Sequence, residues 1–289
     1  MQISTIKIAG PQERHVIILG NGFDLYLQRK TSFADFYKSK FCPKDSNAPL
    51  IQYLNQCKRG KEIRWFDFEN ELLNYTKSDK FDSGVYIVSD SFKRDYEAFQ
   101  QIKQGLIGYL NEITQNEDSY FICRMVNRIF PHYAKEHRIV NSFNYTTIPS
   151  IADVKPNDFH YVHGSCVKNN IIIGTREEQK LEYTYWFLQK VFDTNYSPDY
   201  TAIDLLSADK VTIFGHSLGI NDRQYFDAFF KRQCDAEKAK KNMQINIYTK
   251  DEKSVMQIKR SLQELTDFHL SDLYQYSALK IITTDSFKE

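Results

Sequence analysis

The chain has little of what marks several large protein classes. Glycine (11) and proline (7) are scarce among 289 residues, which excludes collagen-like repeats and disordered, linker-rich architecture. Five cysteines occur, Cys42, Cys57, Cys123, Cys166 and Cys234. They are odd in number, scattered, and form no C-x-x-C pair, so neither a disulfide framework nor a thiolate zinc site is expected. Reduced structural thiols in a cytoplasmic protein are the simpler reading. Long apolar runs are missing too: Val16-Ile17-Ile18-Leu19 is among the longest, far short of the ~20 residues of a membrane span. The N-terminal MQISTIKIAGPQERH lacks the apolar centre of a secretory signal. No charge of either sign dominates. The 38 Lys+Arg against 37 Asp+Glu leave a net charge of +1, which argues against a dedicated nucleic-acid or anionic-membrane binder.

Apolar residues are plentiful by contrast. They make up 42% of the chain, and aromatics 15%, enough for a sizeable core without covalent staples. Short β-branched runs recur, each closing near a turn residue: His15–Gly20, Arg138–Phe143, Phe159–His163, Ile171–Gly174, Val211–Gly215, Ile245–Tyr248 and Leu279–Thr283. Continuous runs of this length suit strands buried on both faces. Amphipathic stretches separate several of them, most clearly Asp251–Phe268, with Val255, Ile258, Leu262 and Leu265 at helical spacing. The expected fold is therefore α/β, a Rossmann-like and mostly parallel sheet flanked by helices. From about Thr31 to Tyr133 helical periodicity is uninterrupted by a strong strand run, which indicates a large helical insertion after the first strand. A second is expected over Glu177–Leu206, all within one domain spanning 1–289.

Four strand ends carry polar chemistry. Gly20-Asn21-Gly22-Phe23-Asp24 follows the first strand and opens into a helix. Glycines there let backbone approach a phosphate at a helix N-terminus, although the third glycine of the dinucleotide fingerprint is absent and a plain turn capped by Asp24 would read the same. Asn144-Tyr145-Thr146 closes the second run. His163-Gly164 closes the third, and an imidazole at a loop edge suits general-base work near neutral pH. Gly215-His216-Ser217-Leu218-Gly219, followed by Asp222, closes another. That last segment also spells G-x-S-x-G, the nucleophile elbow of serine esterases. The only histidine downstream is His269, ahead of the final strand run rather than after it. No metal site is expected from His160 and His163, which do not share a helical face.

In order, GNGFDLYLQRKTSFADF, WFDFENEL, SFNYT, HYVHG, IIIG and IFGHSLGINDRQYF resemble the AbiH-like family of bacterial abortive-infection proteins, from about Val16 to Phe226. One departure is that Ile148-Pro149-Ser150 stands where an acidic residue is expected after the NYT block. The pattern is more remotely similar to sirtuin-like defence NAD hydrolases. That resemblance implies a catalytic Asn144 and His163, and a nucleotide pocket of Gly20, Asn21, Gly22, Phe23, Asp24, Tyr145, Thr146, Gly164, Gly215, His216, Ser217 and Asp222. It implies NAD or a related nucleotide as substrate or ligand, with no metal, and a phage-derived trigger and homo-oligomerisation as further expectations. The sequence-level reading is a cytoplasmic phage-defence effector that hydrolyses the nicotinamide–ribose bond. A non-catalytic nucleotide-sensing or partner-binding module is the alternative, and a serine hydrolase using GHSLG is a second.

Overall fold

Side-chain alternation along the first strand decides the layering. The computed structural model describes residues 12–44, 47–57, 65–77, 90–132, 135–148, 151, 154–176, 183–197 and 200–284. In β1 (Glu13–Leu19), Val16 and Ile18 join the core on one face, while Ile17 and Leu19 join the core on the other. All four are fully buried. A strand covered on both faces has no polar side to present, so its run is apolar without interruption.

Five further strands follow: β2 (Glu136–Ser142), β3 (Phe159–Tyr161), β4 (Lys210–Phe214), β5 (Gln244–Thr249) and β6 (Ala278–Thr283). They form one sheet in the order β3-β2-β1-β4-β5-β6, and every neighbouring pair is parallel. The fold is α/β and Rossmann-like. The chain runs outward from β1 to β3, then returns to the other side of β1 with β4. The order therefore reverses between β1 and β4.

Ten α-helices occur among the described residues. Between β1 and β2 lie α1 (Asn21–Tyr26), α2 (Phe33–Lys38), α3 (Pro49–Cys57), α4 (Trp65–Thr76), α5 (Asp90–Gln115) and α6 (Ser119–Ile129). No strand interrupts them there among the described residues. The others are α7 (Thr201–Ser207), α8 (Arg223–Gln233), α9 (Glu252–Leu265) and α10 (Leu270–Tyr276). On one face of the sheet, α8 buries Phe226, Phe229 and Phe230 completely, worth roughly 1.5–3 kcal/mol each. Helix α9 joins them through Ile258 and Leu262. Its start is set by Asp251, whose carboxylate accepts the Ser254 N–H at 2.8 Å, a cap worth ~1 kcal/mol. On the other face, Phe23, Ile122 and Val126 pack against Ile17, Leu19 and Val140. A third apolar cluster belongs to the insertion, with Phe33, Phe36, Phe68, Phe99 and Leu106 at its centre. No helix among the described residues is long and apolar enough to cross a membrane.

One expectation needs correction. Ile171–Gly174 forms no strand. Ile171 and Ile173 are buried instead in the insertion cluster. The backbone there bonds to loops: the Ile172 N–H donates to the His163 carbonyl at 2.8 Å, and the Thr175 N–H to the Leu188 carbonyl at 2.7 Å. Burial by helices produced the same apolar run that a central strand would. The second insertion is made of short helical pieces among the described residues. It holds 3-10 turns at Tyr183–Leu188 and Lys190–Phe192 and then α7, while 177–182 and 198–199 lie outside the described residues.

Candidate functional site

All four polar strand ends come from adjacent strands, β3, β2, β1 and β4, at the carboxyl edge of the sheet. The glycines explain how two of these ends meet. The Gly20 N–H donates to the Phe214 carbonyl and the Gly22 N–H to the Gly215 carbonyl, both at 2.9 Å. Gly215 has φ +67°, and a Cβ there would stand 2.2 Å from the Phe23 nitrogen. Only glycine permits this conformation and this approach. The loops after β1 and β4 are thus in direct backbone contact, and two of the amides expected to cradle a phosphate are already spent. Asn21 accepts from the Thr31 hydroxyl at 2.6 Å, and Phe23 is core.

Asp24 and Thr146 are likewise engaged with protein. Asp24 accepts from Arg29 at 2.9 Å and from the Thr146 hydroxyl at 2.6 Å, and Arg29 grips Glu117 through two 2.8 Å bonds. Burial raises the Asp24 carboxyl, with Arg29 opposing it. This network ties the first turn to the loop after β2 and does not reach the histidines. Tyr145 donates its hydroxyl to the Ile172 carbonyl at 3.1 Å, and burial raises its phenol. Gly164 turns the chain with φ +73°.

What remains is a compact polar cluster. Asn144 and His163 occupy equivalent places past the ends of neighbouring strands, each two residues beyond the paired Ser142 and Tyr161. Phe143 lies edge-on to both His163 and His216, with ring centroids 5.4 and 4.5 Å away, and so packs the ends of β3 and β4 over β2. His163 Nε2 lies 3.1 Å from Asp222 Oδ1. His216 Nε2 lies 3.3 Å from Asp222 Oδ2. Lys190 Nζ stands 3.4 Å from His163 Nε2 and 3.6 Å from Asp222 Oδ1. It donates at 2.9 Å to Glu69 Oε1, and Asn221 Nδ2 donates to the other Glu69 oxygen at 3.0 Å.

Burial alone would raise the Asp222 carboxyl, but Lys190, His163 and His216 more than offset it and hold the group well below the usual carboxylate range. Burial would also favour a neutral Lys190, yet Glu69 and Asp222 keep its ammonium above its ordinary value. Burial raises Glu69 against the pull of Lys190. The cluster is therefore an ionised carboxylate and an ammonium set among two imidazoles and a second carboxyl.

Asn144 stands apart in this company. Only 4% of it is exposed, and neither its Oδ1 nor its Nδ2 has a hydrogen-bond partner. Leaving a buried polar group unsatisfied costs ~1–3 kcal/mol. This open amide lies at the carboxyl edge of the parallel sheet, the edge where ligands of such folds bind.

The chain matches the family model for bacteriophage abortive infection AbiH over residues 16–244. It belongs to the AbiH family. No curated protein matches it significantly. In this AbiH chain the GHSLG segment does not form a nucleophile elbow. Positive φ falls on Gly215 and Leu218 rather than Ser217. No histidine bonds the Ser217 hydroxyl among the described residues, and His269 Nδ1 faces the Thr266 carbonyl at 3.2 Å. Nor do the described residues of AbiH hold a group of three or more His, Cys, Asp and Glu able to bind a metal ion.

Glu69, Lys190 and Asn221 were not anticipated from sequence. Lys190 had one signal, a lone cation inside the apolar run FLQKVF. It is delivered by a well-anchored segment: its N–H donates to the Thr175 carbonyl at 2.9 Å, Asp193 pairs with Lys103 of α5, and Tyr185 bonds Asp95 at 3.0 Å. Asp95 also accepts from Tyr75 and from the Leu50 N–H.

Proposed function

We propose that this AbiH protein is a phage-defence effector that takes NAD or a related nicotinamide nucleotide at the carboxyl edge of its sheet and hydrolyses the nicotinamide–ribose bond. The observation that carries this reading is the buried Asn144 amide with both polar atoms open, two residues past β2 beside the His163–Asp222 pair. The strand order supports it, since nucleotides bind sheets of this order near the reversal point. Because the loops after β1 and β4 touch there, the reading places the ribose toward Asn144 and His163, over the ends of β2 and β3.

The chemistry asks for three things. The bonding pair leaves with the nicotinamide ring and quenches its positive charge, so an electron-poor ribose carbon must be held while water attacks. Asn144 offers a donor and an acceptor to orient that water or the ribose hydroxyls. His163 takes the water's proton. The ionised Asp222 nearby favours positive charge developing at the ribose.

Nicotinamide release is the direct test, measured in cells exposed to phage or overexpressing the protein, with wild type, Asn144→Ala and His163→Ala. Release by the wild type and its loss in both variants is the expected result. Release retained in both variants overturns the catalytic roles. NAD bound but never consumed would instead identify a nucleotide sensor.

A further inference from the structure

Asp222 entered the sequence reading as a residue lining the nucleotide pocket. Its bonds give it different work. Each carboxylate oxygen faces an imidazole nitrogen, His163 Nε2 on Oδ1 at 3.1 Å and His216 Nε2 on Oδ2 at 3.3 Å. The His216 bond is directional. The Leu218 N–H donates to His216 Nδ1 at 3.0 Å, so Nδ1 is an acceptor and the proton sits on Nε2, facing Asp222. Lys190 closes the third side at 3.6 Å and is itself held by Glu69. The Asp222 carboxylate is therefore flanked by groups from the loop after β3, the loop after β4 and the Lys190 turn, with Glu69 of α4 behind Lys190.

We propose that Asp222 is the positioning residue of His163, holding the imidazole with its proton on Nε2 so that Nδ1 is the nitrogen left to accept one. A neutral imidazole keeps one donor and one acceptor, and the partner of one nitrogen selects the state of the other. The contact at Nε2 is a carboxylate, an acceptor with no proton to give. Lys190 is the longer contact at that nitrogen, 3.4 Å against 3.1 Å for the carboxylate, and its shortest bond is to Glu69 at 2.9 Å. Glu69 and Lys190 come from the two inserted segments, so the insertions supply the far side of the arrangement while His163 and Asp222 come from the sheet. Asp222 makes no contact with the nucleotide; beyond the field of its charge, it acts through His163. This assignment rests on the base role proposed for His163, but its geometric half is testable without any turnover.

The experiment is long-range proton–nitrogen NMR of the imidazoles in the full chain labelled with 15N-histidine, at pH 7.5. The His163 signals are assigned by their loss in His163→Gln. In the wild type, His163 is expected as the Nε2–H tautomer. In Asp222→Ala it is expected to lose that bias and show Nδ1–H or a mixture. His163 as Nδ1–H in the wild type overturns the proposal, whether or not any variant folds. An unchanged Nε2–H tautomer in a folded Asp222→Ala protein overturns it as well. Where nicotinamide release is measurable, Asp222→Ala is expected to lower kcat by roughly 10²–10⁴-fold with KM within about threefold. A raised KM at unchanged kcat would return Asp222 to the nucleotide pocket. If NAD is not the substrate, the tautomer result is unaffected, so the two readings fail separately.

Discussion

The two ends of the sheet carry nearly the same residue types and do opposite things with them. At the amino edge, His15 contacts Glu136 at 3.0 Å through Nδ1 and Thr212 at 2.8 Å through Nε2. Glu136 also accepts from Lys210 at 2.8 Å and from Arg138 at 3.2 Å. Histidine, carboxylate and lysine are all present, as at the carboxyl edge. Here both imidazole nitrogens and both carboxylate oxygens are engaged by protein. Burial, then Lys210, lowers His15 to about 4. Burial would raise Glu136, but Lys210 and His15 bring it down to about 2. This cluster joins β1, β2 and β4 and has nothing left to offer. The carboxyl-edge cluster adjoins Asn144, whose amide is buried and unsatisfied. Residue types alone do not tell the two clusters apart; the unmet hydrogen-bonding capacity beside one of them does.

The sharpest way to break this comparison is to truncate both ends. At the carboxyl edge, Asn144→Ala and His163→Ala should each lower nicotinamide release by ~10²–10⁴-fold. Thermal melting should show both variants within a few degrees of wild type. A large loss of stability without loss of activity per folded molecule would make them structural and erase the contrast. At the amino edge the expectation is reversed. Glu136→Gln leaves buried cations facing a neutral group and should cost about 3 kcal/mol. At this chain length that lowers Tm by roughly 6–12 °C, while activity per folded molecule changes less than about twofold.

A pH series sharpens the same contrast. The unfolded chain protonates His15 near ~6.5, whereas the folded protein resists until about 4. Between those values the unfolded state binds the extra proton. The His15 contribution is complete above the upper value and is lost as pH falls through the window, by about 3 kcal/mol at most. Glu136 acts with the same sign at lower pH, since its native value of about 2 lies below the ordinary carboxylate range. Urea midpoints at pH 7, 5.5 and 4.5 should fall steadily in wild type and less steeply in His15→Gln. Equal slopes would show that His15 is not the group responsible. The smallest effect is expected at Ser217, which is exposed. Ser217→Ala should leave nicotinamide release within about twofold, and a fluorophosphonate probe should not label the wild type there; covalent labelling would restore the serine-hydrolase alternative.

The parallel sheet was legible because β1, β2 and β4 end in runs buried without interruption, as strands between two helical layers do. The exception is instructive. Ile171–Gly174 has the composition of a strand, but its neighbours are loops and the insertion core. Burial on all sides, whatever its source, writes the same local pattern. At the candidate site, Asn144 and His163 could be proposed because a strand end has a known position in such a fold, and Asp222 only through the family resemblance. Glu69 and Lys190 could not. Each lies in an inserted segment with no register to the sheet, and their meeting with Asp222 depends on helix packing that no short motif encodes. Asp24 and Thr146 follow the ends of β1 and β2, and Arg29, five residues past Asp24, bonds them both, a partnership no short motif shows.

The Asp95 knot bears on how this protein can be rebuilt. One carboxylate fastens the start of α3, α4 and the Tyr185 turn, and Lys103 pins Asp193 to α5. The large insertion and the segment near 183–193 are therefore a single heritable part, although about 50 residues of chain, β2 and β3 separate them. A chimera that exchanges one without the other inherits mismatched halves of the Asp95 and Lys103 contacts, and with them a misplaced Lys190. Recombination that respects the chain order of domains would cut through this part, and only a double crossover carrying both segments would pass it on whole.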